Sequence, residues 1–206
     1  MDDSTNDTGK IDENEVFLSG GFIILKVLTE VDVASSDWYG WFNDIDTTAH
    51  MQKHYYPNTR TKQVNYLRSL DEDDSTLQLG IVPTGGSMLI GVIGLHIIDY
   101  INRTTDISMV IGDKRYRHLI YAQEAMQLMI EHAFFTLNLN RITGGYVEDL
   151  KDWGLFLKRR FGFKGEGISR QQVFKNGVYI DTHRIGLLRE EYIETVGRDS
   201  VERRSS

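Results

Sequence analysis

The chain has 206 residues and a formal net charge of −7. Hydrophobic residues make up 40% and charged residues 26%, enough apolar material for one domain with a real core, which excludes a wholly disordered chain. Cysteine is absent, which excludes disulfide scaffolds, thiolate metal sites and cysteine nucleophiles. A chain without thiols fits a reducing compartment, and a cytoplasmic location is expected. The acidic balance argues against a general affinity for nucleic-acid phosphates. No apolar run is long enough to span a bilayer, and Met1–Lys10 is polar and acidic, so neither a membrane partner nor a secretory signal is expected.

Met1–Glu15 is rich in Asp, Asn, Ser and Thr and reads as a disordered acidic tail. Gly21–Leu28 carries Phe22, Ile23, Ile24, Leu25 and Val27 and reads as a buried strand. Asp37 is placed to cap a short aromatic helix, Trp38–Asn43. His50–Asn58 is aromatic and irregular. Thr61–Leu70 shows Val64, Leu67 and Leu70 at helical spacing, and the acidic run Asp71–Asp74 reads as a solvated turn. Strands follow at Thr76–Val82, Met88–Ile98 and Thr104–Ile111, the first two joined by Thr84-Gly85-Gly86, a hairpin turn. Ala122, Ala125, Met126, Met129, Ile130, Ala133, Phe134 and Leu137 fall on one helical face. Arg141–Val147 is a strand and Leu150–Arg160 a helix, with Leu150, Trp153 and Leu157 as its inward stripe. Gly165–Phe174 and Val178–Leu188 flank Asn176-Gly177, a strong hairpin signal. Thr195–Ser206 is charged and small and reads as a second disordered tail. The expectation is one α/β (α+β) domain over residues 16–194, without repeats.

Segments along this order carry a resemblance. They are Ile90-Gly-Val-Ile-Gly-Leu95, Asp106-Ile-Ser-Met-Val-Ile-Gly112, Glu124-Ala125, Leu137-Asn-Leu-Asn-Arg141, Phe161-Gly-Phe163 and Tyr179-Ile-Asp181. Together they resemble the GCN5-related N-acetyltransferase (GNAT) family across nearly all of Gly21–Tyr192. Trp41-Phe42-Asn43-Asp44 is similar to an element of the branch that acetylates ribosomal-protein N-termini and of the related amino-sugar acetyltransferases. The resemblance implies a mixed, mainly antiparallel central sheet with helices on both faces. It implies acetyl-CoA as co-substrate and, as acceptor, a primary amine on a small molecule such as a nucleotide-linked amino sugar, or a protein N-terminus. A monomer or homodimer is expected.

In the family the acyl-CoA pyrophosphate rests on a strand-to-helix turn, where backbone N–H groups and the helix dipole face the anion. The family's Arg/Gln-x-x-Gly-x-Gly/Ala pattern falls on Arg117-His118-Leu119-Ile120-Tyr121-Ala122. Arg117 and Ala122 match; Ile120 stands where a Gly lets phosphate approach the backbone closely. The resemblance assigns the cofactor to Met109, Val110, Ile111, Arg115, Arg117, Ile120, Tyr121, Ala122 and Gln123. A main-chain amide near Met109–Val110 would polarise the thioester, and Asp106 matches a frequent general base. Lys158 occupies the place of the usual Tyr general acid, and Lys151 that of an Asn. Trp41, Phe42, Asn43 and Tyr55 fall in the segment that roofs the acceptor site. The alternative reading is a non-catalytic binding domain that has kept the fold and lost the cofactor. The six histidines show no ligand-like grouping with carboxylates, so no metal is expected.

Overall fold

The computed structural model describes residues 11–51 and 54–197. Eight strands form one sheet: β1 (Val16–Ser19), β2 (Ile23–Val27), β3 (Leu77–Pro83), β4 (Gly91–Asp99), β5 (Thr104–Ile111), β6 (Arg141–Val147), β7 (Lys164–Lys175) and β8 (Val178–Leu188). Six α-helices accompany them among the described residues: α1 (Glu30–Ser35), α2 (Trp38–Trp41), α3 (Arg60–Leu70), α4 (Leu119–Glu131), α5 (Lys151–Phe161) and α6 (Arg189–Val196). The strand order is β1-β2-β3-β4-β5-β6-β8-β7, and every neighbouring pair is antiparallel except β5–β6. Parallel neighbours need a crossover, which α4 supplies.

Strand alternation divides the core between the two faces of the sheet. Ile23, Leu25, Leu79, Ile81, Ile93, Leu95 and Ile107 join the α4 residues Ala125, Met126, Met129 and Ile130, with Leu157 and Phe161 of α5 and Tyr192 of α6. Val82, Val92 and Val110 turn the other way, onto Val33, Trp38, Trp41 and Leu67 from α1, α2 and α3. Helices therefore flank both faces, as expected. None among the described residues is long and apolar enough to cross a membrane.

Three differences from the sequence reading have physical causes. The N-terminal tail, expected to run to Glu15, is structured from Ile11: Ile11 packs on the α1–α3 core, and Glu15 pairs with buried Lys26 at 2.6 Å. At the other end Thr195 and Val196 belong to α6, whose start is held by Glu191 accepting from the Leu188 N–H at 2.9 Å. Gly197 caps α6, and residues 1–10 and 198–206 of the two expected tails lie outside the described residues. The Ala122–Leu137 helix starts earlier, at Leu119, and widens into a π turn over His132–Thr136.

Candidate active site

The β5–β6 ladder pairs Thr104 with Arg141, Thr105 with Ile142 and Asp106 with Thr143, and there it stops. Both strands continue, β5 to Ile111 and β6 to Val147. Their divergence opens a cleft of about 430 Å³ lined by Asp106, Met109, Val110, Tyr146, Trp153 and Arg184. Gly154 on α5 lets the helix pass against the Tyr146 ring, where an added Cβ would collide. The cleft runs into a groove lined by Met109, Ile111, Arg117, His118, Leu119, Ala122 and Trp153. That groove lies at the N-terminus of α4, where a crossover following a strand's C-terminal end collects ligands. His118 occupies the N-cap position and makes no side-chain capping bond.

Asp106 lies at the crotch of the cleft. Its Oδ2 accepts from Thr143 Oγ1 at 3.1 Å. Burial raises its pKa above the ordinary carboxylate value, with Thr143, His96 and Arg184 pulling partly the other way.

On the opposite side of β5 is a second cavity, about 470 Å³. Phe42, Tyr55, Tyr56 and Tyr66 line it, with Gln78, His96 and Ser108 among its polar groups. Met51, Ser108, Met109 and Val110 line both this cavity and the cleft, so the two meet across β5. His96 Nε2 lies 2.8 Å from Ser108 Oγ, and Tyr66 OH donates to Gln78 Oε1 at 3.1 Å.

The turn before α4 is held by a charged network. Arg117 Nε donates to the Ile111 carbonyl at 3.1 Å, and Nη2 donates to Thr47 Oγ1 at 2.7 Å. Thr47 in turn bonds Asp44 through both its N–H and its hydroxyl, and Lys114 pairs with Asp44 and Asp46. The Thr47 bonds and Lys114 hold the Asp44 carboxyl down at about 2. From the far side, Lys175 Nζ donates to the carbonyls of Thr48 and Met51 at 2.8 and 2.9 Å. Tyr55 OH donates to the Phe174 carbonyl at 2.9 Å. The β7–β8 hairpin thereby grips the loop that roofs the second cavity.

The structure gathers Asp106, Met109, Val110, Ile111, Arg117 and Ala122 along the cleft and groove, and Phe42 and Tyr55 at the second cavity. It separates the other expected site residues from them. Trp41 is core: it is 6% exposed and packed on Gly112, where any Cβ would run into its ring. Asn43 exchanges two bonds of 2.7 Å with the Asn58 backbone and staples the loop. Arg115 forks onto Asp113 and faces the hollow beside Trp41. Ile120 is 42% exposed and, with Tyr121 and Gln123, lies outside the groove lining; Tyr121 packs edge-on against Tyr116. Lys151 and Lys158 line neither the cleft nor the groove. His96 and Ser108 were missed. Their signal was a polar residue inside each of two otherwise apolar strands, Gly91–Ile98 and Ile107–Ile111.

Residues 23–150 match the family model described as an acetyltransferase (GNAT) domain. The uncharacterized N-acetyltransferase p20 of Bacillus licheniformis is 27% identical over 169 residues, covering 80% of this chain and 90% of the relative. The probable N-acetyltransferase YjcK of Bacillus subtilis (strain 168) is 28% identical over 137 residues, covering 66% of this chain and 74% of that one. Among solved structures, the spermidine N-acetyltransferase from Vibrio cholerae in complex with CoA and spermine superposes with a TM-score of 0.74 at 20% identity, covering 83% of this chain and 98% of that one. The microcin C7 self-immunity acetyltransferase MccE, in complex with acetyl-CoA and AMP, gives 0.70 at 20% identity, covering 85% and 99%.

Proposed function

Because this chain belongs to the GNAT acetyltransferase family, we propose that it moves acetyl from acetyl-CoA directly to a primary amine held beside it. The observation that carries this reading is the parting of β5 from β6 after Asp106 and Thr143, with β5 residues Ser108–Val110 shared by the cavities on its two sides. A thioester lying along the cleft and an amine entering the aromatic cavity meet there, and positioning of this kind supplies much of a bimolecular barrier. Relatives named as N-acetyltransferases and neighbours holding CoA or acetyl-CoA support it.

The cofactor's residues fit its chemistry. The pyrophosphate would face the N-terminus of α4, whose dipole favours an anion, with Arg117 fixing the turn through Ile111 and Thr47. Met109 and Ile111 offer an apolar wall to the acyl arm. The attacking nitrogen forms its bond to the carbonyl carbon, a main-chain amide near Met109–Val110 holds the developing oxyanion, and the C–S bond breaks to release CoA. Asp106 accepts the amine's proton, through water or by way of Ser108 and His96, and its raised pKa suits that role. The chain has no cysteine to carry an acyl intermediate.

Isothermal titration with acetyl-CoA, paired with thiol release against a panel of amines, tests the reading. Micromolar binding with amine-dependent release of CoA is expected. Absence of acetyl-CoA binding at millimolar concentration overturns it and leaves a binding domain. A stable acetyl-protein adduct that is required for turnover would overturn direct transfer.

A further inference from the structure

The chain carries a net charge of −7, but the acidic residues among those described avoid the cavity that would receive the acceptor. Among the described residues no Asp or Glu lines that cavity. The nearby carboxylates are already engaged: Asp44 and Asp46 hold Lys114, and Asp106, beside His96 at the inner end of β5, accepts from Thr143 and lines the cleft, where it serves as the single base for the reacting amine. The charged side chain on the cavity wall is a cation, Lys62, whose Nζ donates to the Pro57 carbonyl at 2.9 Å. A polyamine would bring several ammonium groups into this space with no anion to meet them, and an unpaired charge out of water is costly.

The walls offer aromatic faces instead. Trp38, Phe42, Tyr55, Tyr56 and Tyr66 surround the cavity. Tyr55 is 51% exposed and Tyr56 83% exposed, so two large rings stand open on its wall. The Gln78 amide adds a neutral donor and acceptor, while the Asn58 and Gln63 amides bond each other at 2.9 Å and brace the wall. Aromatic faces with neutral hydrogen-bonding groups recognise a flat ring bearing uncharged or anionic substituents.

We infer that the acceptor is a primary amine attached to a planar aryl or heteroaryl ring, with no second cationic centre. This rests on the amine-acetyltransferase reading for what the site does, and on the cavity lining for what it selects. The ring lies among Phe42, Tyr55 and Tyr56, and the amine reaches past it to Ser108 and His96, where β5 presents the thioester. Aryl amines and nucleobase-bearing amines share this chemistry, and separate arms of the test distinguish them.

The test measures binding of tyramine, 5′-amino-5′-deoxyadenosine and spermidine to the full chain by titration calorimetry, with and without saturating CoA, beside thiol release with acetyl-CoA. At least one ring amine is expected to bind about tenfold or more tighter than spermidine. Tyr56→Ala should weaken that ring amine several-fold while leaving ethanolamine unchanged. Gln78→Glu, which installs a carboxylate on the wall, should raise spermidine affinity about tenfold. Spermidine binding as tightly as the tighter of the two ring amines overturns the inference, as does failure of all three to bind at millimolar concentration. Ring amines that bind while acetyl-CoA does not would remove the transferase reading and leave the selectivity standing.

Discussion

Asp106 and Asp44 are carboxylates whose surroundings push them in opposite directions. Burial lifts the Asp106 pKa, so the folded protein holds that proton more tightly than the unfolded chain does. Its negative charge at neutral pH therefore costs stability, and the cost disappears as pH falls through the raised value. Asp106→Asn should cut turnover by about a hundredfold, the scale of losing a general base, with acetyl-CoA affinity nearly unchanged. Its melting temperature at pH 7 should equal or exceed that of the unmodified protein. Equal turnover at every pH would clear Asp106 of the role. The Asp44 pKa is lowered from 3.8 to about 2 by the two Thr47 bonds and Lys114. Its contribution is fully present above the unfolded value and is lost as pH falls from about 4 to about 2. Asp44→Asn should lower the melting temperature at pH 6, and the gap to the unmodified protein should close over that acid range. A gap of constant size would show that the Asn variant disturbs the loop for another reason.

Elements decide what these residues face. Trp41 and Phe42 are adjacent in sequence, yet the short α2 sends one into the core and leaves the other on the cavity. An aromatic cluster reads the same from sequence in either position, so the two roles were not separable there. Ile120 belongs to the first turn of α4, and its half-exposed side chain lies off the groove. The family pattern makes Ile120→Gly a variant that tightens acetyl-CoA. The geometry argues for affinity within about twofold of the unmodified protein and a helix destabilised by about 0.5–1 kcal/mol. Calorimetry with acetyl-CoA and a thermal melt check both halves. The β7–β8 hairpin acts on the roof through Lys175, which is 8% exposed and lies 5.5 Å from the Tyr55 ring centre. Lys175→Met keeps most of the volume and removes the bonds to Thr48 and Met51. The acceptor KM should rise several-fold while acetyl-CoA affinity holds, because the hairpin grips the acceptor roof and leaves α4 untouched. A matching loss of acetyl-CoA affinity would show that the roof also shapes the cofactor groove.

At the scale of the whole molecule, the strands and helices with long apolar periodicity were legible in sequence, and of the short or peripheral ones only α2 was, through Asp37 and the aromatic residues after it. β2 to β6, β8 and α3 to α5 carry enough apolar run, alternation or helical spacing to declare themselves, and β7 declares itself through the Asn176-Gly177 turn. β1 is a four-residue edge strand with alternate residues exposed, and α1 is six residues long and shows only the Thr29-x-x-Asp32 cap as a signal. The cleft was legible only through resemblance, because a ladder that stops after three pairs leaves no mark in composition. What keeps the sheet and its crossover helix in register is equally hidden. Glu124 on α4 reaches back about a hundred positions to the turn between β1 and β2. There it accepts from the N–H groups of Gly21, Phe22 and Ile23 at 2.8, 2.7 and 2.8 Å. Gly20 leaves room for that carboxylate, since a Cβ there would strike it. The contact pins the helix whose N-terminus faces the cofactor groove to the first strands of the chain. Three charge-assisted bonds to backbone donors at about 1.5 kcal/mol or more each, not fully additive, set the expected loss for Glu124→Ala at about 3–4 kcal/mol. Glu124→Gln retains the acceptor oxygen without the charge and should lose about half as much. Urea unfolding of the two variants measures both. If Glu124→Ala is within about 1 kcal/mol of the unmodified protein, water replaces the carboxylate at that turn, and α4 is held in place by its apolar face alone.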